Sequence, residues 1–426
     1  MSKMKNSGVA WIGEIPEGWS LIRFKDKWKN IKEIAGEASD EYERLALTLN
    51  GVIKRPKDDS EGLQPKAFDG YQILRENNFI FKMIDLQNIS TSRVGLSPYT
   101  GLVSPAYIRF APKIEGQFSK YTYYFLMSMY YNCVYNNLGG DGVRSALNSS
   151  DMGSFVIPFP DDETQHKIAK YIDLQKVKVD SLIANVQAQI EKLKAYKQSL
   201  ITEIVTKGLD PSVPMKDSGV EWIGEIPKHW GVTRIKNLFD LRNERNDEAD
   251  LSKVNLISLY TDLGVVQHSD IVETTGNRAV TAEGYKFVHK NDIVVNIILC
   301  WMGAVGMSKY NGVTSPAYDI YSPKDGTLSE YYHYLFRTQR FNGECYRYGR
   351  GIMLMRWRTY STEFRSIDIP CPTYDEQVAI IAHLKSKCNQ IDQLIAIKQK
   401  KIDKLNEYKK SLIYEYVTGK KEVPAI

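Results

Sequence analysis

Arginines set among glycines and aromatics are the residues of this chain best equipped for chemistry on a polyanion. Gly139-Gly140-Asp141-Gly142-Val143-Arg144 lies ahead of one proline pair; Tyr346-Arg347-Tyr348-Gly349-Arg350-Gly351, followed by Arg356-Trp357-Arg358, lies ahead of another. Glycine permits close backbone approach, and a guanidinium can fork onto guanine O6 and N7 or clamp a phosphate. Arg144 and Arg356, at equivalent places 212 residues apart, are the leading candidates for DNA contact, to base or phosphate. Arg347, Arg350 and Arg358 suit phosphate as well as bases, and the aromatics between them add stacking capacity. The blander alternative is an arginine paired with acids of its own globule. A second candidate stretch runs from Lys82 to Arg93 and includes Gln87 and Asn88, whose amides can read adenine through two hydrogen bonds. Its counterpart, Asn296 to Lys309, carries Trp301 instead. Such divergence is what two different targets require, although loop drift would produce it too.

Catalytic signatures are missing. There is no G-x-x-x-x-G-K-[ST] phosphate loop, no Asn/Asp-Pro-Pro-aromatic tetrapeptide for holding an extruded base, and no H-x-x-x-H or Cys/His cluster among the six histidines. His166 and His383 fall on helices in solvated or interfacial settings. Asp161-Asp162-Glu163 could hold a metal, but its counterpart Tyr374-Asp375-Glu376 favours helix N-terminal charge. Five cysteines, odd in number and never in a CxxC pair, read as reduced thiols. The expectation is therefore no catalytic residue, no metal and no cofactor in this chain. A net charge of +5 is compatible with nucleic acid without arguing for it. No apolar run has the length of a membrane span, so a cytoplasmic protein is expected.

The elements that must position these residues are written twice. Ser7-Gly8-Val9-Ala10-Trp11-Ile12-Gly13-Glu14-Ile15-Pro16 returns as Ser218-Gly219-Val220-Glu221-Trp222-Ile223-Gly224-Glu225-Ile226-Pro227, at 218 − 7 = 211. Ser104-Pro105-Ala106-Tyr107 returns as Ser315-Pro316-Ala317-Tyr318 at the same offset, and Ile157-Pro158-Phe159-Pro160 as Ile369-Pro370-Cys371-Pro372 at 212. A period this long exceeds any solenoid unit and implies two copies of a domain with its connector. Each copy opens with short β-rich runs, among them Phe79-Ile80-Phe81 and Ile293-Val294-Val295, and with helical stretches at Tyr121 to Tyr131 and Tyr331 to Phe341. The fold class read from this is α+β. The identical Ser-Pro-Ala-Tyr segments read as strand-entry turns, and the Trp11/Trp19 and Trp222/Trp230 pairs as packing against helix ends.

Each copy ends in a long helix. Glu163 to Lys207 contains neither proline nor glycine, and heptad spacing places Val179, Val186, Leu193 and Leu200 on one stripe, with Leu182, Ile183, Ile190 and Ile204 filling it. The second copy offers Ile391, Leu405 and Leu412, with Leu394, Ile395 and Ile402 alongside. Some 40 helical residues extend about 60 Å, beyond the reach of one small globule, so each seam is expected to find the other helix. The pairing would be antiparallel and pseudo-two-fold, with a globule at either end. The divisions expected are 1–156 and 217–368 for the globules, and 157–216 and 369–426 for the helices.

In these features the chain resembles the specificity subunit of type I restriction-modification enzymes. The resemblance rests on the paired Gly-Val-x-Trp-Ile-Gly-x-Ile-Pro-x-x-Trp openings, to Trp19 and Trp230; on the Pro-x-Pro entries to the helices, with Gln165 and Gln377; and on the Lys-x-Ser-Leu-Ile helix ends at Lys197 to Ile201 and Lys409 to Ile413. It implies two target-recognition domains reading the halves of a bipartite double-stranded DNA site, and assembly with methyltransferase (M) and restriction (R) subunits. S-adenosylmethionine, ATP and Mg would then sit on those partners. The alternatives are a self-contained DNA-modifying enzyme and a coiled-coil scaffold with paired protein-binding heads.

Overall fold

The duplication seen in sequence returns in the order of strands in the computed structural model, which describes residues 3–49, 51–59, 65, 67–84, 86, 93–138, 146–270, 281–351 and 357–424. Two compact units emerge: Met1–Gln187 with Lys400–Ile426, and Ala188–Gln399. Both mix helix and sheet, and the fold class is α+β.

In unit 1, one four-stranded antiparallel sheet orders Trp28–Asn30, Ile108–Pro112, Phe79–Lys82 and Arg93–Leu96. A second orders Gly51–Arg55, Arg44–Thr48, Gly101–Val103 and Gln72–Leu74; Gly101–Val103 runs parallel to Arg44–Thr48. Unit 2 repeats the first sheet as Phe239–Arg242, Tyr318–Pro323, Ile293–Asn296 and Val305–Met307. Phe79, Ile80 and Phe81 are fully buried, as are Ile293, Val294 and Val295. A continuous apolar run this short fits a strand covered on both faces.

The repeated Ser-Pro-Ala-Tyr segments are turns in both units. The Ser104 hydroxyl accepts from Ala106 N–H at 3.3 Å, and Ser315 from Ala317 N–H at 3.3 Å. Lys120–Tyr131 is helical as its sequence predicts. Tyr331 to Phe341 is not one helix: Ser329–Phe336 stops, and Gln339–Tyr348 restarts. The break falls at Thr338, whose backbone is extended and whose hydroxyl caps the new helix by accepting from Phe341 N–H.

The first long helix spans Asp162–Lys207 and the second Tyr374–Val417. Asp161 caps the first, accepting from Thr164 N–H at 2.9 Å and Thr164 Oγ1 at 2.8 Å; these bonds hold its carboxyl below the usual range. Thr373 and Glu376 form the reciprocal box at the second. The glutamine of each Pro-x-Pro entry is buried and reaches back to the proline, Gln165 to Pro160 O at 2.8 Å and Gln377 to Pro372 O at 3.1 Å.

Within unit 1 the helices touch at Tyr171 with Tyr416, ring centroids 4.7 Å apart, and at Asp180 with Lys409, 2.8 Å. Within unit 2 they touch at Gln189 with Lys398, 2.6 Å, and Lys197 with Asp392, 2.7 Å. Inside each unit the numbering climbs on one helix as it falls on the other. Val179, Val186, Ile190, Ile391, Ile402 and Leu412 are buried, while Leu193, Leu200 and Leu405 are half-buried. Leu182 and Leu394 depart from the expectation, standing 48% and 47% exposed. The alternating steps of four and three that carry the stripe from Val179 through Val186 to Ile190 use Ile183 instead, and leave position 182 one residue off the seam.

The tryptophan motifs receive helix ends. In unit 1, Ile12 and Ile15 share a core with Leu412, Ile413, Tyr416 and Val417, and Tyr121 Oη lies 2.9 Å from Val417 O. In unit 2, Trp222, Ile226 and Trp230 share a core with Ile201, Ile204 and Val205, and Tyr331 Oη donates to Val205 O at 2.6 Å. Each such aliphatic side chain contributes about 1.5–3 kcal/mol by leaving water. Where globule meets helix, one ion pair is reversed between the copies: Lys120 with Asp173 at 2.6 Å in unit 1, Glu330 with Lys385 at 2.7 Å in unit 2.

Candidate nucleic-acid interface

Described residues at the edges of the two stretches singled out in sequence, far apart along the chain, meet in each unit. In unit 1, Ile84 bridges Ala146 and Leu147 N–H donates to Met83 O at 3.1 Å. In unit 2, Thr359 N–H donates to Ile297 O at 2.9 Å. The described residues after the buried strand and before the proline pair are thus joined in each unit by main-chain bonds that tolerate any side chain.

Unit 2 shows this surface in most detail. Arg350 and Arg358 exchange backbone hydrogen bonds of 2.8 and 2.9 Å. Trp357 stacks on Tyr346, centroids 4.9 Å apart and planes 19° from parallel, and donates Nε1–H to Tyr346 O at 3.0 Å. A methyl group at Gly349 would fall 2.2 Å from Trp357 Nε1, so glycine is what lets the ring lie against the backbone. Trp301 meets Tyr346 edge-on at 5.7 Å. Beneath these rings, Cys300 and Cys345 are buried free thiols with sulfurs 3.1 Å apart, and Thr359 Oγ1 donates to Cys345 O.

Three arginines of this surface are described. Arg350 is exposed yet pairs with Glu363 at 2.7 Å, and Arg347 with Glu344 at 2.5 Å, the acid that raises its pKa. Arg358 pairs with Arg350 through its backbone. Asn296 faces inward: it is 7% exposed, and its side-chain oxygen accepts from Ile298 N–H at 3.0 Å and Leu299 N–H at 3.3 Å. That turn-forming role takes Asn296 out of the proposed contact surface. In unit 1, Lys82 and Arg93 face each other across the last rung of a strand pair. Arg144, Arg356, Gln87 and Asn88 lie outside the described residues.

An open cleft of about 1450 Å³ in unit 2 runs between Lys194–Lys207 of the first long helix and Met302, Gly303, Arg337 and Arg340. Arg337 turns inward, donating to Val305 O at 3.0 Å and Thr261 O at 2.8 Å. His333 accepts Met307 N–H at Nδ1, and burial, with Arg337 and Lys309 nearby, pushes its pKa down to about 3. Neither group is arranged as an acid–base catalyst. Among the described residues no cluster of three His, Cys, Asp or Glu could hold a metal, and no helix is long and apolar enough to cross a membrane. Lys25, Lys29, Lys32 and Lys113 belong to none of the motifs singled out in sequence.

Residues 27–195 match the sequence model of the type I restriction modification DNA specificity domain. The chain is 24% identical over 436 residues to the type I restriction enzyme MjaVIII specificity subunit of Methanocaldococcus jannaschii, covering 95% of this chain and 93% of that relative. It is 24% identical over 445 residues to the putative type I restriction enzyme MjaX specificity subunit of the same organism, covering 98% and 97%. A chain from a structure solved for complex assembly and conformational transition of the type I R-M system shares its fold, with a TM-score of 0.65 at 12% identity over 95% of this chain and 98% of that one. The chain matches the DNA specificity domain of type I restriction-modification systems over residues 27–195 and resembles their specificity subunits along nearly its whole length.

Proposed function

We propose that this chain is the non-catalytic, sequence-specific DNA-binding subunit of a type I restriction-modification complex. Globules at 1–156 and 217–368 each read one half of a bipartite site. The helical stretches 157–216 and 369–426 pair as an antiparallel, pseudo-two-fold coiled coil that sets the spacing and docks methyltransferase subunits. Restriction subunits join for cleavage; S-adenosylmethionine, ATP and Mg reside on the partners, and the complex works in the cytoplasm. The observation that carries this reading is the pair of composite surfaces, built by the same main-chain bonds at Ile84/Ala146 and Ile297/Thr359 but furnished with different side chains. A common scaffold with divergent furniture suits two different half-sites. Arg144, Arg356, Arg350, Arg358, Arg347, Lys82, Gln87, Asn88, Arg93 and Trp301 are the proposed contacts. Pairing through Val179, Val186, Ile190, Leu193, Leu200, Ile391, Ile402, Leu405 and Leu412 is supported by the opposed numbering of the helix contacts inside each unit.

The test is selection of duplexes from a random pool by the chain in complex with its methyltransferase partner. Two short conserved blocks at a fixed gap are expected. Matched deletion of four residues from each helix, opposite one another between Val179 and Leu200, removes about 6 Å. The gap should then shrink by about 2 bp, at roughly 3.4 Å per base pair, while both blocks persist. Recovery of a single block, or a gap indifferent to the deletion, refutes the reading.

A further inference from the structure

Unit 1 carries a lysine strip that unit 2 has lost. Lys25, Lys29 and Lys113 line a groove of about 500 Å³ together with Ser149 and Ser150. It shares Asn30 and Ser149 with a neighbouring groove lined by Lys32, Met83, Ile84 and Leu147, the residues where the two candidate stretches meet. All four lysines are exposed, and none forms an ion pair with an acid among the described residues. Asp26, in the groove wall, is occupied in accepting Arg23 N–H at 2.7 Å. Lys27 does not join the strip; its ammonium sits 5.7 Å from the Phe159 ring centre.

The corresponding positions of unit 2 follow from the 211-residue offset and from matching strand registers, Lys29 opposite Ala111 and Asp240 opposite Ser322. Lys25 corresponds to Lys236 and Lys113 to Lys324, but Lys29 becomes Asp240 and Lys32 becomes Asn243. Asp240 binds Lys324 at 3.3 Å, and Lys324 also donates to Lys236 O at 3.0 Å. Four positive charges in one unit face two lysines and an aspartate in the other. Exposed lysines without acid partners carry a solvated positive charge that a phosphodiester chain neutralises by releasing counterions.

We propose that Lys25, Lys29, Lys32 and Lys113 form a phosphate-tracking strip beside the reading surface of unit 1. The two readers then contribute unequally to DNA binding: unit 1 supplies the larger salt-dependent, sequence-independent share. This rests on the DNA-reading function proposed above. Its ligand is the phosphodiester backbone flanking one half-site, and it predicts that one half of the target is held by charge more than the other.

The experiment measures binding of the full chain, in complex with its methyltransferase partner, to the selected duplex across a salt series. K25Q/K29Q/K32Q is expected to flatten the slope of log K against log salt by up to about 2.7, at about 0.9 for each phosphate that the three lysines no longer neutralise. Both sequence blocks should survive in the selected pool. D240K in unit 2, which frees Lys324 and adds a charge, is expected to steepen the slope. An unchanged slope in the triple variant overturns the strip while leaving the specificity reading intact. So does loss of the methyltransferase partner with the slope retained, since that marks the lysines as a protein-docking surface. Absence of any sequence preference in the unsubstituted complex overturns both.

Discussion

The glycines after the two long helices face the same Pro–Trp pair of the repeated motif, Gly208 with Pro227 and Trp230 and Gly419 with Pro16 and Trp19, but at different closeness, and they make a matched pair of perturbations. Gly208 has φ +81° and Gly419 φ +70°, the left-handed region that disfavours a side chain. Alanine at either costs about 1–2 kcal/mol in backbone strain. At Gly208 the new methyl would meet Trp230 Cζ2 at 3.4 Å, ordinary contact, so G208A should cost that strain and little more. At Gly419 it would lie 2.4 Å from Pro16 Cδ and 2.5 Å from Pro16 Cγ, with Trp19 behind at 3.1 Å. Pro16 is a buried strand residue with no flexible end to swing aside, and overpacking of this kind costs about 1–3 kcal/mol. G419A should therefore destabilise the junction of helix end and N-terminal motif by about 2–5 kcal/mol in all. The assay is native-state amide hydrogen exchange with peptide resolution, which reports local opening without assuming that both units unfold together. Residues 408–418 in G419A should lose more protection than residues 197–207 in G208A. Equal losses, or a larger loss in G208A, would refute the claim that the N-terminal motif closes tightly over the helix end.

Three further outcomes follow from the same structure. Ile190→Ala, at 2% exposure, should cost about 2–4 kcal/mol in denaturant unfolding, whereas Leu182→Ala, 48% exposed, should cost less than about 0.5 kcal/mol. The reversed globule–helix ion pair predicts that K120E, which sets a second carboxylate against Asp173, is destabilising by roughly 0.2–1 kcal/mol, and that K120E/D173K, the polarity used in unit 2, shows favourable coupling in a double-mutant cycle, although D173K also removes the acceptor of the Tyr124 hydroxyl. His333 is neutral in the fold because its pKa is depressed to about 3 from 6.5. Its contribution is therefore complete above about pH 6.5 and is lost as pH falls from there toward 3. Urea midpoints of unit 2 signals should fall over that window more steeply for the unsubstituted protein than for H333Q.

The features legible in sequence are those fixed by local chemistry or by repetition. Asp161 and Gly208 mark the ends of a helix because caps and left-handed stops depend on neighbouring residues alone. The tryptophan motifs can be matched to the helix ends because each occurs twice at one offset. The break at Thr338 is invisible: Tyr331 to Phe341 has the composition of one helix, and only the capping hydroxyl distinguishes it. Leu182 misleads because a seven-residue count from Val179 does not say whether the partner position is 182 or 183; packing decides. The inward turn of Asn296 is likewise hidden, since an exposed amide and a turn-forming amide read alike. The parallel placement of Gly101–Val103 against Arg44–Thr48 depends on contacts more than fifty residues apart between strands of three and five residues, too short to announce their partners. Lys25, Lys29, Lys32 and Lys113 come together only when two strands pair.

The central claim is that twin composite surfaces, one in each unit, read two halves of one DNA site. Methylome sequencing of a host lacking other modification systems, and expressing this chain with its methyltransferase subunit, tests it most directly. The account predicts methylated adenines within a gapped motif of two defined blocks, and predicts that substitutions confined to Tyr346, Arg350 and Trp357 alter one block while the other stays fixed. Methylation at a single uninterrupted motif, or changes in both blocks from those unit 2 substitutions, would contradict it.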